Sequence, residues 1–243
     1  MKPNLRRRLA AEFLGTSLLV ATVIGSGIMA ERLAAGNIAL ALLANTLATG
    51  AALVALILTF GPISGAHLNP VVSVADALEG GLSWSEVLGY AVAQLIGGFT
   101  GTILAHLMFS LPVVSLSRHI RSGPAQFLSE FTATFGLLSV IWGCSRSSSK
   151  VTPFAVGSYI TAAYWFTAST SFANPAVTFA RACSDTFAGI RPVDVPLFIA
   201  AQFAGGIAAT LLFRWLVPTL PSTAKDVLVA HSEDDSDAGK LRA

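Results

Sequence analysis

Charge is what this chain has little of. Its 243 residues include 15 Lys and Arg and 13 Asp and Glu, together 12% of the total, where a soluble domain carries about 25%. So few charges cannot keep a surface of this size in water, which argues against a soluble fold. A formal net charge of +2 leaves no basic field for nucleic acid. Cysteine is scarce too: Cys144 and Cys183 make neither a disulfide framework nor a metal-ligand cluster, so no metal or cofactor site is assigned. A Gly-x-Ser-x-Gly turn is absent. Ser64 and His67 are near one another in sequence, but two groups this close on one extended segment give poor nucleophile–base geometry. No catalytic residue is assigned, and an enzyme is not expected.

What the chain does have is long apolar runs. Hydrophobic residues make up 53% of it and the mean hydropathy is +0.69. A span of the hydrocarbon core needs about 20 mainly apolar residues, and six segments are read as spans: 9–30, 38–60, 87–109, 127–144, 153–166 and 195–217. The fifth is the shortest. Arg6, Arg7 and Arg8 before the first run resemble the start of a signal peptide, but that run is too long and holds Glu12, so it reads as a retained first helix. Lys2 and Arg6 to Arg8, together with Arg146 and Lys150, set one side of the membrane against Arg32, Arg118 and Arg121. The N-terminal block is the strongest, which with six spans predicts that both termini are cytoplasmic; the expected location is the plasma (inner) membrane. Residues 219–243, with Glu233, Asp234, Asp235 and Asp237, read as a solvated, disordered tail.

Three signals recur in order in the two halves. Ala11-Glu12-Phe13 is matched by Ser129-Glu130-Phe131, Asn69-Pro70-Val71-Val72-Ser73 by Asn174-Pro175-Ala176-Val177-Thr178, and Ala93-Gln94-Leu95-Ile96-Gly97-Gly98 by Ala201-Gln202-Phe203-Ala204-Gly205-Gly206. Glu12 to Glu130, Asn69 to Asn174 and Gln94 to Gln202 are 118, 105 and 108 residues apart. Residues 1–120 are therefore read as one repeat and 121–218 as a second. Each has three spans, an odd number, so the second lies inverted relative to the first, an arrangement that places solute sites near the midplane.

Asn-Pro is a strong helix start: Asn caps free N–H groups, and Pro at the first helical position has no N–H to lose. The apolar stretches that follow, giving half-helices over 69–79 and 174–183, are too short to span. Each is expected to enter the membrane part-way behind extended backbone, 61–68 in one half and 167–173 in the other. Such backbone is tolerated at membrane depth only if it is buried in protein or lines a water-filled cavity. Carbonyls along Gly65, Ala66, His67 and Phe172 then offer acceptors, the Asn69 and Asn174 amides offer donors, and two positive helix ends oppose cations. That combination predicts passage of uncharged polar solutes.

These paired motifs, the Glu in spans one and four and the Ala-Gln-x-x-Gly-Gly segments make the chain similar to the aquaporin and aquaglyceroporin (major intrinsic protein) family over roughly residues 5–218. The resemblance implies an all-α membrane fold of six transmembrane helices and two re-entrant half-helices, a pore in each protomer lined by Asn69, Pro70, Val71, Asn174, Pro175 and Ala176, and a homotetramer in a lipid bilayer. It also locates the outer constriction at Thr49, Ser171, Val177 and a fifth-helix residue, Tyr164 or its neighbours Ala162 and Ala163. This sequence departs from the family pattern at two places: Val71 stands for the Ala of the first motif, and Val177 stands where most members have Arg, as in bacterial members associated with arsenic handling. Losing an Arg removes a charge and five donors, and Thr49 replaces the Phe of strict water channels. A wider constriction follows, suited to glycerol, urea and metalloid hydroxides such as arsenous acid as well as water.

Competing readings remain beside these. Glu12 and Glu130 are intramembrane carboxylates and could serve a proton-coupled transporter, though their symmetric placement suits acceptors for loop amides. A strict water channel is the other alternative. Gln94 and Gln202 suit bonds across packed helices more than contact with solute, His67 suits either the pore wall or a backbone group, and Arg181 suits capping and packing, with partial supply of the missing charge at the vestibule as the alternative.

Overall fold

The computed structural model describes residues 3–144 and 150–217. Lys2, Arg146 and the segment 219–243, to which orientation and tail readings were attached, lie outside the described residues. The helices are α1 (Leu5–Leu33), α2 (Ile38–Ser64), α3 (Pro70–Leu78), α4 (Trp84–Met108), α5 (Pro124–Cys144), α6 (Thr152–Phe166), α7 (Pro175–Ala182) and α8 (Val195–Leu216), with a 3-10 turn at Pro192–Asp194. There is no strand among the described residues. Both halves run in one order: two helices, a half-helix, then a long helix.

Five of these helices are long and apolar enough to cross a membrane. The remaining expected span, α6, has only 15 residues, or about 22 Å at 1.5 Å per residue, short of the ~30 Å hydrocarbon core. It nonetheless belongs to the bundle, packed against α2 and α5. Polarity is turned inside out. Glu12, Gln94, Glu130 and Gln202 are fully buried, while Leu14, Leu88, Ile96, Leu128 and Leu211 face outward. In lipid an exposed Leu costs nothing, whereas a polar side chain must find a partner inside the protein.

The long helices pair closely, α1 with α4 and α5 with α8, while α2 lies against both α1 and α6. Small residues allow it. A Cβ at Gly97 would press on the Phe13 carbonyl of α1, and one at the equivalent Gly205 on the Phe131 carbonyl of α5. Gly50 and Gly157 make the same kind of approach between α2 and α6.

One sequence expectation is corrected here. Residues 61–64 are not extended: α2 continues through them. Pro62 lies in the last turn, where its fixed φ suits a helix and the missing N–H costs a single bond. The helix stops at Gly65, which takes φ +89° and returns its N–H to Gly61 O at 2.9 Å, the left-handed C-terminal cap that glycine adopts without strain. The non-helical backbone that leads into the first half-helix is thus confined to 65–69.

Candidate functional site

The half-helices α3 and α7 start alike. Asn69 has φ −157°, ψ 120° and its side-chain oxygen accepts from Val71 N. Asn174 has φ −158°, ψ 114° and accepts from Ala176 N and Val177 N. Each oxygen caps its own helix while the amide nitrogen reaches across. Asn69 Nδ2 donates to Ala173 O at 2.8 Å, and Asn174 Nδ2 donates to Leu68 O at 2.7 Å. The two helices therefore meet N-terminus to N-terminus and run apart, which brings their positive dipole ends together.

The loops leading to these caps share an unusual backbone. Ala66 and Leu68, and in the second half Ser171 and Ala173, all have φ of 47–48°. Left-handed conformations cost a non-glycine residue energy and persist only where the surroundings enforce them. The enforcement is visible. Glu12 accepts from Ser64 Oγ (2.6 Å) and His67 N (3.0 Å) on one oxygen, and from Leu68 N and Gln94 Nε2 (both 2.7 Å) on the other. Glu130 accepts from Phe172 N and Ala173 N, both at 2.9 Å, and from Gln202 Nε2 at 2.6 Å. Both glutamines also donate to a half-helix hydroxyl, Gln94 to Ser73 and Gln202 to Thr178. Ser64 is hydrogen-bonded to Glu12, and His67 Nδ1 contacts Ser73 Oγ at 3.1 Å, so Ser64 and His67 form no nucleophile–base pair.

One cavity passes alongside both turns. Part of its wall is built from helix stripes at spacing i, i+4: Leu19 and Val23 on α1, Thr49, Leu53 and Ile57 on α2, Leu137 and Ile141 on α5, and Thr152, Val156, Ile160 and Tyr164 on α6. Residues four apart lie on one helix face, so each helix contributes a single stripe. The rest is formed by Gly65 to Asn69 with Val72, by Ser171 to Asn174, and by Val177 and Arg181. The expected residues Thr49, Tyr164, Ser171 and Val177, along with Gly65, Ala66, His67 and Phe172, all line this one space. Thr49 Oγ1 and Tyr164 OH lie 3.3 Å apart across α2 and α6. Of the three fifth-span alternatives only Tyr164 is in the wall; Ala162 and Ala163 are not.

Within the motifs the expectation needs correcting. Only Asn69 and Asn174 line the cavity, whereas Pro70, Val71, Pro175 and Ala176 do not. Helical geometry turns the first residues after each cap toward neighbouring helices: Val71 packs beside Gly206 of α8, and the Ala176 carbonyl lies beside Gly98 of α4. The Val in the first motif is thus a packing change. The apolar stripes went unrecognised in the sequence, because helices that are apolar all round carry no mark of the face that lines a lumen.

The segment 110–123 is fastened to the end of α7 and to the turn before α8. Ser115 N and Ser117 N donate to Cys183 O and Ala182 O, Arg191 N to His119 O, and Arg121 N to Asp194 Oδ2. His106, fully buried at the end of α4, joins this region through Ser184 Oγ (2.8 Å) and Pro112 O (2.7 Å). Burial pushes the Asp194 carboxyl up, but hydrogen bonds from Arg191 and the Arg121 N–H prevail and hold it below the ordinary carboxylate range.

Residues 1–171 and 147–239 match the family described as major intrinsic protein. The chain is 55% identical over 214 residues to aquaglyceroporin AqpS of Rhizobium meliloti, covering 88% of this chain and 91% of that protein. It is 30% identical over 233 residues to a probable glycerol uptake facilitator protein of Thermotoga maritima, covering 85% and 97%. In fold it resembles the crystal structure of the aquaglyceroporin from Plasmodium falciparum, with a TM-score of 0.66 over 89% of this chain and 99% of that one at 20% identity. With paired Asn caps, mirrored carboxylates and a cavity between them, this chain belongs to the major intrinsic protein family, a family of membrane channels.

Proposed function

We propose that this chain is a passive, bidirectional channel for small uncharged solutes: glycerol, urea and metalloid hydroxides such as arsenous acid, with water. The observation that carries the reading is the mixed lining of the cavity: largely apolar helix stripes together with re-entrant loop residues and the Asn69 and Asn174 amides. A polyol moving through such a space turns its carbon skeleton to the stripes and its hydroxyls to the polar groups. A cation meets two helix N-termini and few compensating oxygens. Similarity to an aquaglyceroporin and to a probable glycerol facilitator supports the solute class.

The outer constriction comprises Thr49, Tyr164, Ser171 and Val177. Val177 stands where a guanidinium would narrow the opening, and Thr49 is smaller than an aromatic, so the ring admits more than water. Glu12 and Glu130 hold the re-entrant loops, which makes proton coupling unnecessary. The repeats 1–120 and 121–218, a homotetrameric assembly and cytoplasmic termini in the plasma membrane complete this reading, as does the absence of catalysis. Stopped-flow flux in proteoliposomes tests it. The wild type is expected to pass glycerol and arsenous acid above protein-free liposomes. Val177→Arg is expected to cut glycerol passage about tenfold or more while keeping water, since one blocked contact surface of 1.4 kcal/mol is a factor of ten. Wild-type passage of water alone, unaltered by Val177→Arg, would overturn the solute reading.

A further inference from the structure

We infer that Arg181 is a specificity-determining residue of this pore, supplying beyond the ring the guanidinium that residue 177 lacks. The inference rests on the channel reading above. Val177 and Arg181 are four residues apart on α7, hence on one face, and both line the cavity. Arg181 is only 2% exposed, and a cation so enclosed needs compensation. It has three sources. Its Nε–H donates to Ala188 O. Its guanidinium lies over the Phe172 ring, 3.3 Å from the centroid, a cation–π contact. Phe172 is itself fixed, its N–H bonded to Glu130 and its ring edge-on to Phe198.

The third source is the lumen. Among the described residues no carboxylate forms an ion pair with Arg181, and its terminal amino groups have no hydrogen bond to the protein. The neighbouring Arg121 differs: it also lies by Phe172, 5.0 Å from the centroid, but its Nε and Nη1 donate to Gly189 O and Ser169 O. Of these two arginines only Arg181 lines the cavity, and neither of its terminal amino groups is bonded to the described protein. Ser171 Oγ, buried in the same wall, likewise has no partner within the described protein. An arginine at 177 would project into the opening. At 181 the same group is drawn back on Phe172, so the room left by Val177 stays free while the charge and its donors persist. The preferred solutes are neutral molecules rich in acceptor oxygens, and cations are repelled.

The test compares Arg181→Met and Arg181→Lys with wild type in proteoliposomes, reading glycerol, water and methylammonium permeability, with thermal unfolding to certify the fold. Arg181→Met is expected to lower the glycerol-to-water ratio about tenfold, the loss of a hydrogen bond to a charged donor, and to raise methylammonium entry about fivefold as a screened repulsion disappears. Arg181→Lys keeps the charge but not the planar stack: glycerol selectivity falls while methylammonium stays excluded. The Lys variant serves alone if the Met variant does not fold. A wild type that passes glycerol, with ratios unchanged in the folded variants, overturns the role of Arg181 and leaves the channel standing. A wild type that passes no solute overturns both.

Discussion

Asn69 and Asn174 are tied by exchange: each donates its amide to the carbonyl of the residue that precedes the other, at 2.8 and 2.7 Å. No hydrogen bond links the two side chains directly. Each Asn caps its own half-helix with oxygen and anchors the opposite loop with nitrogen, so one amide performs two jobs on two halves of the chain. One of its two N–H groups is engaged by protein, and both Asn border the cavity.

Removing either Asn therefore acts on both halves. Asn69→Ala or Asn174→Ala loses a cap worth about 1 kcal/mol and an inter-loop bond of about 1 kcal/mol. Each is expected to lower the unfolding temperature of the detergent-solubilised protein. The double variant is expected to lose less than the two single losses combined, by about 0.5 kcal/mol or more, since the first loss already loosens the second site. Strictly additive shifts in thermal unfolding would show that the two turns are independent.

Glu12→Gln and Glu130→Gln probe the acceptors beneath the loops. A carboxylate accepts on both oxygens, whereas an amide turns an NH2 toward N–H groups that need an acceptor. At least one buried donor is orphaned, at a cost of about 1–3 kcal/mol, and each variant is expected to be less heat-stable than wild type. Glycerol flux through the protein that remains folded is expected to be indifferent to an imposed proton gradient. Uptake by the wild type that follows the gradient, and a Glu12→Gln protein that no longer does, would instead establish a carrier.

Asp194 sets a pH dependence at the segment 110–123. Its carboxyl titrates below the ordinary range in the folded protein, against about 3.9 when unfolded. The stabilisation is then complete above the unfolded value and lost as pH falls through the lower folded one. Wild type is expected to unfold at a higher temperature than Asp194→Asn by a constant margin from about pH 7 to pH 5, and the margin is expected to close below about pH 4. A margin that shrinks already between pH 7 and 5 would place the titration on another group.

Much of the architecture is legible in the chain because it is stated twice. Glu12 with Glu130, Asn69 with Asn174 and Gln94 with Gln202 recur in order, and each pair has equivalent partners in the fold. What stayed hidden is what repetition cannot mark. The continuation of α2 through Pro62 depends on how far the helix runs before Gly65 closes it, a boundary that propensity alone leaves open. The faces of α2, α5 and α6 that line the cavity share their Leu, Ile and Val with the faces turned outward.

The sequence by itself determined the membrane as solvent, the number of apolar segments, the two half-helix starts and the residues 12, 69, 94, 130, 174 and 202 that hold them. Those follow from hydropathy over long windows, from capping chemistry and from the repetition of motifs between the two halves. Only the tertiary structure decided which side of each helix faces the lumen, that the third residue of each motif packs against a neighbouring helix rather than the lumen, and that Arg181 lies on Phe172 with its terminal donors unengaged. The physical reason is that a side chain's direction into a cavity depends on how helices cross, and crossing is fixed by close approaches such as Gly97 on Phe13 and Gly205 on Phe131, between residues far apart in the chain.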